Sequence, residues 1–375
     1  MTALYVHLPF CPYICPYCDF AKWPHKRSAA ARYLAALESE ARSRACAGVF
    51  ETVFFGGGTP NTYDAEEIAG LLALFDALYP GPQDRETTIE VNPELVRAAD
   101  LQTYRSSGVN RLSIGVQSFV AAEIATLGRR HTAADVQAGV DAARAAGMRS
   151  VSVDLMFAVP GQTPESWQHS LDAAIRLGAD HISAYGLTVE AQTPYERWRD
   201  REPQAFMDDA AEAELYERTI ATLEEAGFEH YEISNFARPG HRSAHNANYW
   251  ANGDYVGLGV GAASYQRGIR SIHTKSLDEY VKAALENEAI PGESEELKGA
   301  QRAGEAIMLA LRTAQGVSLQ HFKDRYGLDF SSFYANAVAR FTQDGLLEVD
   351  ETHARLTRRG RFLANDVCAA FVTLA

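Results

Sequence analysis

The chain has 375 residues and a formal charge of −14, a length that supports one large α/β domain plus a smaller one around a substantial apolar core. Its excess of acid, with a pI near 5.3, repels nucleic acid and anionic lipid and excludes a general nucleic-acid binder. No basic segment followed by an apolar stretch and a small-residue cleavage site opens the sequence, and no run of about 18 apolar residues occurs, so neither a signal peptide nor a membrane helix is expected.

The first strand is expected near Leu4 to Leu8, and CPYICPYC follows it with Cys11, Cys15 and Cys18. In a cytoplasmic protein, clustered thiols read as metal chemistry rather than as disulfides. Three thiolates at spacings of four and three suit an iron–sulfur cube, whose corners need soft ligands from a flexible loop. A zinc knuckle is the alternative, but no second CxxC or HxxxH completes it, and His7 or His25 would have to improvise. Cys46 and Cys368 lie in helix-like apolar surroundings and are expected to be packing residues.

Further strands are predicted at Thr52 to Phe55, Thr88 to Val91, Arg111 to Gly115, Val151 to Met156 and His181 to Leu187. Helices are predicted between them at Ala29 to Ala45, Ala65 to Tyr79, Glu94 to Ser107, Ala133 to Ala146 and Pro164 to Leu177, with another at Met207 to Ala226. That alternation predicts a parallel sheet. Polar motifs follow successive strands: GGGTP after the second, EVNP at the third, GVQSF after the fourth and DLMFAVPG at the fifth. Working residues at the ends of several strands favour a partial six-stranded (β/α) barrel over a doubly wound sheet, which gathers its site at one switch point. Residues 1–276 are assigned to this barrel and its extension. From 277 to 375 the pattern turns to helices followed by LLEV and ARLT around a turn, a mostly helical, winged-helix-like domain expected to serve as an interaction or lid module.

Gly56, Gly57 and Gly58 allow close backbone approach to a ligand, and without a following Lys-Ser/Thr they are not a P-loop. Glu90, Gln117, Arg129 and Asp154 stand at or after strand ends, where their polar tips could converge. Taken together, the cysteine triplet and these residues resemble the radical S-adenosylmethionine superfamily, in its coproporphyrinogen-oxidase-like branch. The resemblance implies a [4Fe-4S] cluster on Cys11, Cys15 and Cys18 with S-adenosylmethionine on the open iron, cleaved reductively to methionine and a 5′-deoxyadenosyl radical. It implies Tyr17 beside the adenine, Gly57, Gly58 and Thr59 at the methionine amino group and Arg129 at the carboxylate. Asp154 or Gln117 would take the ribose hydroxyls, with Glu90 and Tyr5 completing the shell.

Within the branch, oxygen-independent coproporphyrinogen III dehydrogenases decarboxylate propionates and carry a further cysteine two positions beyond the third. Phe20 occupies that position here. The haem-chaperone group instead ends its cysteine motif in CxF and carries HNxxYW later, and this sequence has both, as CDF and as HNANYW from His245 to Trp250. An imidazole can coordinate haem iron, and Tyr249 and Trp250 offer flat apolar faces to a porphyrin. The bland account of HNANYW is a surface loop packed on the barrel. His131, in GRRH, is another candidate ligand, read first as support for the cofactor shell. The resemblance thus implies a haem chaperone rather than a dehydrogenase, with haem as cargo for recipient apoproteins that include membrane-bound respiratory enzymes. It also implies an electron donor, allows a homodimer, and suggests a cytoplasmic protein that is peripheral at the membrane during delivery.

Overall fold

The computed structural model describes residues 2–45 and 48–372; Cys46 lies outside the described residues. Six parallel strands form where the alternation places them: β1 (Thr2–Leu8), β2 (Thr52–Gly57), β3 (Glu86–Val91), β4 (Arg111–Gln117), β5 (Ser150–Phe157) and β6 (His181–Gly186). They lie side by side in chain order. Their period of two divides the residues sharply. Val53, Phe55, Ile89, Leu112, Ile114, Val151, Val153 and Ile182 join the main core, where the strands' apolar faces meet α1 (Arg27–Ser43), α2 (Ala65–Leu78), α3 (Ala98–Ser106), α4 (Ala133–Ala145) and α5 (Pro164–Arg176). The alternate positions are largely polar: Thr52, Glu86, Thr88, Glu90, Arg111, Ser113, Ser152, Asp154, His181 and Ser183.

Helix starts are set locally. Thr132 accepts the Asp135 N–H at 3.3 Å while its own N–H reaches the Asp135 carboxylate at 2.7 Å, and Thr163 and Ser166 exchange the same pair of bonds at 3.2 and 2.9 Å. These reciprocal caps fix where α4 and α5 begin. Helix α6 (Asp209–Glu225) covers β5 and β6, and its Thr219 accepts the indole N–H of the fully buried Trp167 at 2.9 Å.

The sheet does not stop at six strands. Beyond β6 it gains an antiparallel pair, β7 (Glu229–Glu232) and β8 (Asn235–Ala237). The chain then crosses the barrel floor through α7 (Ala244–Trp250) and returns on the far side of β1 as β9 (Asp254–Leu258). Strand β9 is a seventh parallel strand, in register from Thr2 opposite Asp254 to Val6 opposite Leu258. An antiparallel meander of β10 (Ala263–Gln266), β11 (Ile269–His273) and β12 (Gly292–Glu296) finishes that edge.

Helix α8 (Leu277–Leu285) buries Tyr280, Val281 and Ala284 in the first core, and β12 belongs to the main sheet. The change of core therefore follows residue 296, later than the compositional change at 277. A second core then gathers Ile307, Leu311, Phe322, Phe330, Phe341, Leu356 and Phe371 around α9 (Gly299–Leu311), further helices and a three-stranded sheet of residues 317–318, 347–349 and 353–356. Helices plus a small antiparallel sheet match the winged-helix-like expectation. Among the described residues no helix is long and apolar enough to cross a membrane.

One buried carboxylate ties the added edge to the barrel. Glu40 of α1 is 1% exposed and accepts the Gly259 N–H at 2.8 Å, the Tyr280 hydroxyl at 2.6 Å and the Arg44 guanidinium at 3.0 Å. Removing one member of such a set strands the others in low dielectric. Glu40→Ala should destabilise the protein by about 3 kcal/mol, measured by urea unfolding, with Glu40→Gln costing less.

Candidate functional site

Cys11, Cys15 and Cys18 line a pocket of about 160 Å³ at the C-terminal ends of the parallel strands. The loop is held by main-chain bonds from His25 N–H to the Cys11 oxygen at 2.8 Å and from Cys18 N–H to the Cys15 oxygen at 3.3 Å, and Lys22 Nζ donates to the Cys18 oxygen at 2.6 Å. Burial pushes the Cys11 thiol up to about 11 against a hydrogen bond from Thr59, and raises Cys18 as well. Iron would replace the protons such thiols otherwise keep. Among the described residues no three His, Cys, Asp or Glu side chains gather as a single ion requires; three thiols around a shared pocket suit the separate corners of a cube.

Tyr17, Gly57, Gly58, Thr59, Glu90, Gln117, Arg129 and Asp154 all line this same pocket. The glycines have a role within the chain that the sequence did not suggest. A Cβ on Gly57, whose φ is +109°, would sit 2.4 Å from the His7 imidazole; one on Gly58 would meet the Pro9 main chain at 2.7 Å; one on Gly56 would meet the Glu90 carboxylate at 2.9 Å. The N–H groups of Gly57, Gly58 and Thr59 already donate to Glu90, Leu8 and Phe10 at 3.2, 2.8 and 3.0 Å. The segment therefore offers a ligand its carbonyl oxygens rather than its amides. Acceptors suit an amino group.

Gln117 has φ +66° at an irregularity between β4 and β5, a left-handed conformation costing a non-glycine residue about 1 kcal/mol. That bend turns its side chain to the mouth, where Oε1 accepts the Tyr185 hydroxyl at 2.7 Å. Arg129 donates to the Gly115 oxygen at 2.5 Å, and its buried Nε finds no partner. Burial works against its charge, yet Tyr17, Tyr13, Cys15 and Glu94 together raise its pKa and keep it cationic. A half-buried cation with a spare, shielded donor is suited to a carboxylate. His131 is 4% exposed, with Glu94 at 4.0 Å; burial, then Arg129, lowers its pKa to about 4. It lies beside this shell and does not line the pocket.

Tyr5 stands elsewhere. Its hydroxyl lies 3.0 Å from His7 Nδ1, and its ring lines a neighbouring cleft of about 410 Å³ together with Tyr249, Tyr255 and Phe20. Phe20, 63% exposed, also borders the cysteine pocket, so the two recesses share a wall.

HNANYW is a helix, not a surface loop. Its N-terminus is seated on Glu86, whose carboxylate accepts the N–H groups of Ala244 at 3.1 Å and His245 at 2.9 Å. His245 is 1% exposed and stacks on Phe54 with centroids 4.9 Å apart; Nδ1 lies 2.8 Å from Thr52 Oγ1 and Nε2 lies 2.8 Å from the Tyr249 hydroxyl. Burial lowers its pKa to about 3, so the ring is neutral with both nitrogens engaged. The structure does not gather the motif into one site: Tyr249 lines the aromatic cleft, whereas Trp250 lines a different recess against Phe322, Arg325 and Tyr326, with the Arg312 guanidinium 5.4 Å from its ring. The expectation of three convergent haem contacts is corrected on this point, because residues 249 and 250 leave a helix about 100° apart.

Residues 5–174 match the Radical SAM superfamily and residues 297–363 the HemN C-terminal domain. Two relatives named heme chaperone HemW are 35% identical in Bacillus subtilis, over 99% of each chain, and 32% identical in Lactococcus lactis, over 99% of this chain and 97% of that one. The solved structure of coproporphyrinogen III oxidase (HemN) from Escherichia coli superposes with a TM-score of 0.87 at 26% identity, over 99% of this chain and 90% of that one. The chain belongs to the radical S-adenosylmethionine superfamily, in the HemN-like branch that includes the HemW proteins.

Glu86, Phe54, Thr52 and Tyr185 were not singled out from sequence. The signal was the polar alternate face of the strands, which points into the barrel instead of to water. Glu90 on that face is half-buried, and loss of solvent, with Asp154 beside it, pushes its carboxyl up to about 8 against the Gly57 N–H. Asp154 is raised too, again by burial, against hydrogen bonds from Ser183 and Ser113. Because the native Glu90 holds its proton where the unfolded chain has lost it, stability falls as pH rises from about 4.5 toward 8. Glu90→Gln, which cannot ionise, should gain about 3 kcal/mol on the parent across that window, measured by urea unfolding of the cluster-free protein at both ends.

Proposed function

We propose that this chain is a haem chaperone that binds haem and passes it to apoproteins, with a [4Fe-4S] cluster on Cys11, Cys15 and Cys18 and S-adenosylmethionine in the same pocket. The observation that carries this reading is the shared wall at Phe20: an aromatic cleft containing a motif tyrosine adjoins the cysteine pocket. The HemW relatives, matched over nearly their whole length, support it. When bound, the cluster and its cofactor supply one-electron chemistry. This chain's own residues hold and orient: Arg129 meets the cofactor carboxylate, the carbonyls of Gly57 and Gly58 its amino group, and Asp154 or Gln117 the ribose, while Tyr17 packs beside the adenine. Glu90 fixes the glycine turn through the Gly57 N–H.

In the haem cleft, Tyr249 and Tyr5 present their rings. His245 acts through Tyr249, whose hydroxyl it holds; coordination of iron by Nε2 would require that hydroxyl to leave. Trp250 is assigned to the contact with the C-terminal unit. The proposed setting is the cytoplasm, with membrane-bound respiratory enzymes among the recipients. The HemN superposition favours a second reading, oxygen-independent coproporphyrinogen III dehydrogenase, and Phe20 in place of a further cysteine weighs against it.

Anaerobic reconstitution followed by parallel assays separates the two readings: stable haem binding with negligible coproporphyrinogen conversion is expected, and efficient conversion without haem binding would overturn the choice. Cys15→Ala should lose iron and labile sulfide. His245→Ala should weaken haem binding about tenfold through loss of a held ring and its hydrogen bond, with the cluster absorbance intact; unchanged haem affinity removes His245 from the site.

A further inference from the structure

The aromatic cleft has a cationic corner that its flat walls do not explain. In a chain of net charge −14, Lys275 and Arg270 both line this cleft, and Asp19 is its acidic member. Arg270 is already committed, with its guanidinium 2.5 Å from the buried Glu305 carboxylate and 3.4 Å from Glu295. Lys275 is exposed, and among the described residues no ion pair neutralises it.

Its backbone is nevertheless fixed. The neighbouring Thr274 donates its N–H to the Pro291 oxygen at 2.7 Å and accepts the Gly261 N–H at 2.9 Å. Gly261, with φ +67°, brings the turn between β9 and β10 against the cysteine loop: a Cβ there would meet Ala21 Cβ at 3.1 Å and the Lys275 side-chain stem at 3.8 Å. Lys275 thus projects from the seam between the meander and the loop that carries Phe20.

An ammonium group on a flexible stem, with no ion-pair partner among the described residues and set beside aromatic faces, is matched to a planar apolar ligand with carboxylates on its edge. Haem has that chemistry, with an apolar macrocycle and two propionates on one side. Resting on the haem reading above, the geometry points to Lys275 as the residue that receives a haem propionate and sets the ring's orientation in the cleft, between Phe20 on one side and Tyr249 and Tyr255 on the other. Arg270, held by Glu305, lends field to the same edge without leaving its partner. The cation then selects for dicarboxylate porphyrins, while the rings bind any of similar shape.

The test is titration of the reconstituted protein with haem and with haem dimethyl ester, whose propionates are uncharged. The parent protein should bind haem about tenfold more tightly than the ester, the scale of one charge-assisted hydrogen bond. Lys275→Ala should lose that preference while keeping its affinity for the ester, and Lys275→Arg should restore it. Equal affinity of the parent for haem and ester, or unchanged haem affinity in Lys275→Ala, overturns the role of Lys275 and leaves the chaperone reading standing. No haem binding by the parent overturns both. Iron and sulfide content, expected to be the same in all variants, shows that the fold and cluster loop are intact; a variant in which they fall is replaced by Lys275→Gln, read by the same criteria.

Discussion

The carboxylate of Glu86 at the barrel floor is the contact on which the rest of the arrangement turns. A parallel barrel left open at its lower end exposes the polar inner face of its strands, and something must satisfy Thr52, Glu86, Arg111 and His181 there. The chain does so with its own returning segment. Glu86 receives the first N–H groups of α7, Arg111 donates to the His241 oxygen at 3.0 Å, and Tyr231 meets His181 Nε2 at 2.8 Å. A negative group at a helix N-terminus satisfies unpaired donors and complements the helix dipole together. The floor is closed, and the same segment carries the chain to the opposite edge, where β9 can pair with β1.

Seated this way, α7 couples the floor to the mouth. His245 stacks inside the barrel and holds Tyr249, and Tyr249 forms a wall of the cleft beside the cysteine loop. At the mouth the constraints are of another kind. Arg129 is half-buried and charged, Glu90 is half-buried with its carboxyl pushed up to about 8, and the glycine turn is folded so tightly around His7 and Pro9 that its amides are already used. The chain has fixed its dipoles and charges before any ligand arrives, which limits the reorganisation that binding requires.

Much of this was legible in the sequence for a physical reason. Outward-facing Val, Ile and Leu at every second position reveal parallel strands covered by helices, and the close cysteine spacing reveals a loop that brings three thiols to one pocket. Convergence of Glu90, Gln117, Arg129 and Asp154 follows from their places at successive strand ends. What was not legible depends on partners distant in the chain. Strand β9 is five residues of DYVGL and becomes parallel only because α7 crosses beneath the barrel. Tyr5, six residues before Cys11, points to the neighbouring cleft because β1 is flanked on both sides, which a six-strand reading denies. HNANYW shows its composition openly, but burial of its histidine depends on Glu86, Thr52 and Phe54.

The far end of α7 is held from outside the barrel. Arg325, from a helix of the second core, donates to the Ala251 oxygen at 3.1 Å and the Asn252 oxygen at 2.7 Å, so the two ends of one short helix are gripped by different units. The C-terminal unit is therefore more than an appendage to a complete barrel. The position of Tyr249 depends on both units, since its helix is anchored to the barrel floor through Glu86 and to the second core through Arg325, and a shift of either anchor would be felt at the aromatic cleft.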